Sequence, residues 1–210
     1  MGSESYTEPT LIAATALECN ALRRAVPGAR IVRTGVALAG LAENLGGVVV
    51  SCGLAGGLRT DLPTGTVLIP RHVRRPDGEM VACDTELVEA FAASARRLGI
   101  EPLFDPLLTA DTIVNGVARA RWALQGYAGV DMETGRVNAA RIAAVRVVLD
   151  TPQRELSGDW RVPLLAMLKP RNWPQALWLS REAPRAALLV ARVVAGAQGI
   201  CERVRITRQW

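Results

Sequence analysis

Histidine and lysine are all but missing: the 210 residues contain one of each, His72 and Lys169. Four cysteines, Cys19, Cys52, Cys83 and Cys201, lie far apart and form no Cys-x-x-Cys pair. These shortages argue against a metal site and give no disulfide framework. No apolar run approaches the roughly 20 residues that cross a bilayer, and no leader of the secretory kind opens the chain. A cytoplasmic protein with reduced thiols is therefore expected. Aromatic residues are only 4% of the total. The net charge of +5 comes from 25 basic residues, all but one of them arginine. They are scattered along the chain without interleaved aromatics, which argues against a nucleic-acid partner.

What is plentiful is Ala, Val and Leu, with regular Gly and Pro punctuation, and half of the chain is apolar. That composition suits a globular α/β domain, and the length suffices for one substantial core. Residues 1–10 read as a flexible N-terminal segment and 11–210 as a single domain.

Leu11 to Ala14 reads as a first buried strand. Thr15-Ala16-Leu17-Glu18 then starts a helix through Arg24 in the Thr-x-x-Glu form of a capping box, so Glu18 has a structural reading beside any chemical one. Strands are expected at Ile31–Arg33, Val48–Cys52, Thr66–Ile69 and from Leu107, and helices over 37–45, 84–98 and 119–124. Such alternation argues for a three-layer α/β sandwich.

Gly53-Leu54-Ala55-Gly56-Gly57-Leu58 follows the Val48–Cys52 strand directly. It reads either as a tight turn or as a loop whose backbone N–H groups approach a ligand, and its Gly-x-x-Gly-Gly order is no dinucleotide fingerprint. Farther on, Val137, Ala140 and Ala144 recur at helical spacing behind an Asp131 cap, and Val145, Val147 and Val148 then read as a strand. Glu133 would thus open a helix and Asp150 close a strand, where ligands bind in open α/β sheets. The structural alternatives are plain: an acid in a first helical turn complements the dipole, and Asp-Thr-Pro makes an ordinary turn.

Beyond Pro152, Trp160, Trp173 and Trp178 fall among prolines and leucines. This segment reads as a flap over the core, as a wall for a bulky apolar substrate, or as a peripheral membrane-surface contact. A last helix is expected from Ala183 to Val204, with Arg203, Arg205 and Arg208 at its negative end.

Four motifs taken in order carry a resemblance. They are Leu11-Ile12-Ala13-Ala14 with Glu18, Val49 to Leu58, Val130-Asp131-Met132-Glu133, and Arg146-Val147-Val148-Leu149-Asp150. Together they resemble the nucleoside phosphorylase and nucleosidase family. Asp150-x-x-x-Arg154-x-Leu156 and Lys169-Pro170-x-x-Trp173-Pro174-x-Ala176-Leu177-x-Leu179 are most similar to its hopanoid-associated branch, which removes adenine from adenosylhopane. The resemblance implies an αβα sandwich around a central mixed β-sheet, a small nucleoside substrate, no cofactor, and a homo-oligomer. It makes Glu133 the holder of the ribose hydroxyls with Met132 beneath the sugar, Asp150 the proton donor to purine N7, and Glu18 the activator of water. Gly53, Ala55 and Gly56 would lie along the ribose and the nucleophile, and Ile113 and Val114 would line the base pocket.

The chemistry independently wants such a set. Breaking a ribosyl C–N bond builds positive charge on the sugar and negative charge on the departing purine, so a carboxylate near one and a proton donor near the other fit the transition state. To donate near neutrality Asp150 must be buried enough to hold its proton well above about pH 3.9. Family phosphorylases carry an arginine in the strand before the glycine stretch and a Ser or Thr within it. Here those places hold Ser51 and Leu54, which favours water, while Arg33 leaves phosphate open as a co-substrate. Leu149 stands where many relatives have Ser, and the connections before Val48 and Val145 look short. The expected activity is hydrolytic release of adenine from a nucleoside with an apolar 5′ substituent. The alternatives are a phosphate-dependent phosphorylase and a catalytically silent ligand-binding or membrane-surface protein on the same fold.

Overall fold

The computed structural model describes residues 8–39, 45, 47–161 and 169–207, with backbone alone for 160–161 and 198–207. Its strands are β1 (Thr10–Ala13), β2 (Ile31–Arg33), β3 (Val48–Gly57), β4 (Val67–Leu68), β5 (His72–Arg74), β6 (Met80–Ala82), β7 (Leu107–Thr109), β8 (Gly129–Asp131) and β9 (Arg141–Val148). Its helices are α1 (Ala16–Ala25), α2 (Thr85–Arg97), α3 (Gly116–Leu124) and α4 (Trp173–Thr207). They form an α/β fold, a mixed β-sheet flanked by helices, as expected.

β3 organises the sheet. It runs parallel to β1 over residues 49–51 on one side and to β9 over residues 48–55 on the other, from Val48 opposite Arg141 to Ala55 opposite Val148. Its last residues, Gly56 and Gly57, pair antiparallel with Val130 and Gly129 of β8. From β8 the order continues through β7 and β5 to β6. The period-two alternation of strands decides the faces. Val50, Cys52, Val145 and Val147 point into a core formed with α1, α2 and α4, whereas Val49 and Ile142 join Ile12 and Val137 on the opposite side. Each fully buried Val or Leu in this core adds about 1.5–3 kcal/mol. α2 and α4 approach so closely that a methyl group at Gly196 would overlap Ser94 Oγ.

The helix ends follow local chemistry. Thr15 caps α1 in a complete capping box with Glu18, Asp84 Oδ1 accepts from the Leu87 N–H at 3.0 Å to cap α2, and Gly99 leaves α2 with φ +75°.

Four expectations are corrected. The glycine stretch 53–57 is no turn but the continuation of β3, because its neighbours come close enough to need glycine in an extended strand. No helix follows Glu133. A single 3-10 turn, Thr134–Arg136, is succeeded by β9, whose eight-residue ladder to β3 captures the segment and leaves too little chain for both elements. Of the helix expected over 37–45, the described part is a 3-10 turn, Val36–Leu38, in which Ala37 and Leu38 take positive φ, while residues 40–44 lie outside the described residues. The last helix starts ten residues earlier than expected, at Trp173, and accommodates Pro184. Of the Trp-rich segment, 162–168 lie outside the described residues, as does Arg208. Among the described residues no helix is long and apolar enough to cross a membrane.

Candidate active site

The end of β3 lies in a pocket of about 220 Å³ that Glu18, Glu133 and Asp150 enter from three different elements. Glu18 comes from the first turn of α1 and is buried. Its Oε2 accepts from the Thr15 N–H (2.8 Å) and Oγ1 (2.7 Å), which is the capping half of its role. Its Oε1 turns the other way and accepts from the Leu54 N–H at 3.0 Å. The structural and the chemical readings of Glu18 therefore describe two oxygens of one carboxylate.

Opposite Glu18, Arg146 projects from β9 at the register position facing Gly53. A Cβ built on Gly53 would lie 2.5 Å from Glu18 Oε1 and 2.6 Å from Arg146 Nη1. The missing side chain thus lets a carboxylate and a guanidinium close together on the backbone of β3, where any larger residue would part them. Arg146 is fully buried, and its Nη2 is held by Asp131 Oδ2 (2.6 Å), Ser51 Oγ (2.6 Å) and Thr134 Oγ1 (2.8 Å). A buried charge requires such matching. Arg146 Nε has no partner among the described residues, and Nη1 reaches only the Leu54 carbonyl at 3.5 Å, so this edge of the guanidinium keeps donors to spare.

Asp131 is the hub beneath. Its Oδ1 accepts from Thr109 Oγ1 at 2.6 Å, and its Oδ2 accepts from the Thr134 N–H at 3.1 Å and from Thr134 Oγ1. It caps the turn that follows Glu133, not the helix expected from the sequence. Glu133 Oε1 accepts from the Ala37 N–H at 3.1 Å, Oε2 accepts from the Met132 N–H at 3.3 Å, and Arg146 Nη2 lies 3.8 Å away. Burial pushes the Glu133 carboxyl above its ordinary range, with Arg146 opposing and Asp131 reinforcing the shift.

Asp150, just past β9, is buried beside a guanidinium that the sequence did not announce. Arg119 of α3 donates from Nη2 to Asp150 Oδ2 at 2.5 Å and from Nη1 to the Gly57 carbonyl at 2.7 Å, and its Nε lies 3.5 Å from Glu155. Asp150 Oδ1 is 3.1 Å from a Cβ built on Gly56, so here too glycine admits a carboxylate to the strand.

Met132, Ile113, Val114, Leu54, Ala55 and Gly56 line the same pocket, together with Val36 and Leu156. The residues expected at the site line this pocket except Gly53, which does not reach it and packs against Glu18 and Arg146. Arg33 does not line the pocket either: it ends β2 on the exposed side. Sequence reasoning missed Arg119 and Arg146. For Arg146 the signal was a charge at the centre of an apolar strand, whereas nothing local marks Arg119. The three cysteines with described side chains are buried and free, and burial pushes the Cys52 and Cys83 thiols up to about 12. Among the described residues no cluster of His, Cys, Asp and Glu could hold a metal.

The profile of the Phosphorylase superfamily matches residues 31–194. The chain belongs to the Phosphorylase superfamily. As a member it is an enzyme, and its fold is the one seen in nucleosidases. It superimposes on the Helicobacter pylori 5′-methylthioadenosine/S-adenosylhomocysteine nucleosidase, solved with 5′-methylthioadenosine, with a TM-score of 0.67 at 11% identity over 93% of this chain and 99% of that one. Futalosine hydrolase of the same organism gives 0.67 at 10% identity over 93% and 100%. The S-adenosylhomocysteine nucleosidase of Streptococcus pyogenes, bound to 5-methylthiotubericidin, gives 0.67 at 15% identity over 93% and 98%.

Proposed function

We propose that this superfamily member cleaves the N-ribosyl bond of an adenine nucleoside bearing an apolar 5′ substituent, of the adenosylhopane kind, with water as acceptor. The observation that carries this reading is the buried Glu18 carboxylate, which lines the same pocket as Glu133 and Asp150. A water molecule held in the pocket against Glu18 has an acceptor for its proton in that carboxylate.

The remaining groups fit the same reaction. As the C1′–N9 bond breaks, positive charge grows on the ribose, and the Glu133 carboxylate stabilises it while holding the sugar hydroxyls. Asp150 supplies a proton to purine N7. One carboxyl group can do this without leaving Arg119, because Oδ2 accepts from the guanidinium while a proton on Oδ1 faces the base. Water then adds to C1′, its proton passes to Glu18, and the products are adenine and the free 5-substituted ribose. With Ile113 and Val114 given to the base, the walls of Val36, Leu54 and Leu156 favour an apolar substituent over a charged one.

Arg146 lies near Glu18 where the sequence showed only Ser51, which bears on phosphate as the alternative acceptor. Its charge is already met by Asp131, at 2.6 Å, and by Glu133, at 3.8 Å. Glu18 in the pocket would repel a dianion, and a dianion without charged partners is costly to desolvate. Incubation with adenosine and with 5′-alkyl analogues, with and without phosphate, tests the proposal. Free adenine with a free sugar in phosphate-free buffer is the expected result. Strict phosphate dependence with a ribose 1-phosphate product would replace hydrolysis by phosphorolysis.

A further inference from the structure

The first half of α4 carries apolar side chains on its solvent side. Trp173, Leu177 and Leu188 are 62%, 57% and 53% exposed. Together with exposed Pro184 they recur at spacings of four, seven and four residues, which aligns them on one helix face. At 1.5 Å rise per residue the stripe is about 22 Å long. The charge beside it is mainly positive. Arg154, Arg181 and Arg185 line a groove whose sole acid, Glu182, pairs with Arg185 at 2.9 Å, and the Arg154 guanidinium lies 4.5 Å over the Trp178 ring. Lys169 and Arg171 stand at the start of the same face, and one carboxylate, Asp159, meets them both at 2.5 and 2.8 Å.

A second copy of the chain is a poor cover for this face, because a two-fold interface would set the arginine rim against itself. An anionic bilayer is complementary in both respects. Its headgroup boundary takes up Trp and Leu, and its phosphates meet the guanidinium groups, whose stems lie along the apolar surface. We propose that this face of α4 docks the protein peripherally on an anionic phospholipid surface. Trp173, Leu177 and Leu188 enter the headgroup boundary, and Arg154, Arg181 and Arg185 meet the phosphates.

The site is coupled to this face. Gln175 donates to the Glu155 carbonyl at 2.8 Å and accepts from the Ser157 N–H at 3.1 Å, gripping both neighbours of Leu156, a wall of the pocket. Docking would bring lipid beside the pocket that receives an apolar 5′ tail. The docking itself does not depend on the proposed reaction, because its test reads binding alone.

Co-sedimentation of the full chain with vesicles of phosphatidylcholine, alone or mixed with phosphatidylglycerol, tests it. Binding at least tenfold tighter to the mixed vesicles, weakened by salt, is expected. Brominated lipid should quench tryptophan fluorescence, and Trp173→Phe should diminish that quenching. Arg181→Glu with Arg185→Glu should lower binding by about an order of magnitude or more with an unchanged melting temperature. Leu177→Asp should lower it as well. Equal binding to both vesicles, no binding, or quenching undiminished in Trp173→Phe would overturn the proposal. So would a dimer in sedimentation equilibrium that Leu177→Asp dissociates, which would assign the face to a second copy.

Discussion

Replacing Gly53 by alanine puts the proposed nucleophile site to a direct test. Gly53 does not sit at positive φ, so alanine is conformationally ordinary there and the perturbation is purely steric. The new methyl would lie 2.5 Å from Glu18 Oε1 and 2.6 Å from Arg146 Nη1, against ordinary contact distances of about 3.5–4 Å. About 1 Å of retreat is needed, and neither neighbour is free to give it. Glu18 would lose its 3.0 Å bond from the Leu54 N–H, or Arg146 would have to leave Asp131, Ser51 and Thr134. Overpacking of this kind costs about 1–3 kcal/mol, and at about 2–4 °C per kcal/mol the melting temperature should fall by about 2–12 °C. The catalytic loss should be larger. Glu18 is the group assigned to activate water, and a misplacement of about 1 Å alone can remove about 10² in rate. Adenine release at saturating nucleoside and thermal melting measured on the same preparation give both numbers. Gly158→Ala is the control, since Gly158 has no positive φ and no atom of the described residues within 4 Å of its Cβ position, and it should change neither. A Gly53→Ala enzyme within about threefold of the parent kcat would refute the assignment of water activation to Glu18 in this position, whatever its stability.

Glu133→Gln should lower kcat by about 10² or more, because an amide cannot supply the charge that opposes the developing cation, and a loss below about tenfold would remove that role. Since burial raises the Glu133 carboxyl above its ordinary value of 4.5, kcat/KM should fall as pH drops through the raised value. Its stability contribution runs the opposite way: it is fully present below 4.5 and is lost as pH rises through the raised value. Melting and activity profiles of Glu133→Gln should lack both features. Asp150→Asn should spare p-nitrophenyl riboside, whose leaving group needs no proton, and slow adenosine cleavage; equal losses would contradict the role. Arg119→Met leaves a buried carboxylate without its partner and should destabilise by about 3–5 kcal/mol, read from denaturant midpoints, with Arg119→Lys recovering part of the loss. Glu18→Ala should show two effects together, a capping loss of about 1 kcal/mol and abolished hydrolysis in phosphate-free buffer; retained hydrolysis would leave the capping role alone.

What could be read from the chain beforehand was what depends on near neighbours. The Thr15-x-x-Glu18 box is an interaction over one helical turn, and it stands where its residue types placed it. The glycines of β3 read as a tight turn or a ligand loop, and of these the turn is overturned by the strand that runs through them. Their purpose is close approach by Glu18, Arg146 and Asp150, side chains separated from them by tens of residues and brought near only by the sheet. Arg119 and Asp150 lie 31 positions apart, and no periodicity links them. Helical spacing at Val137, Ala140 and Ala144 misled because only Ala144 belongs to β9, whose ladder to β3 begins at Arg141, while Val137 and Ala140 lie in the connection before it.

A ten-residue strand that serves both halves of the sheet has a consequence for how the enzyme comes apart. β3 donates its first residues to β1 and β9 and its last to β8, so neither group of strands can detach while the other keeps a complete edge. Partial opening that spares the pocket is therefore confined to the periphery, to β2, β6 and the ends of the long helix. Amides in the centre of β3 should exchange with solvent only when the whole molecule unfolds, at rates that track the global free energy. Because β1, β3, β8 and β9 are drawn from distant parts of the chain, their meeting is a late, slow event in refolding, and catalytic competence should appear together with the last protected amides.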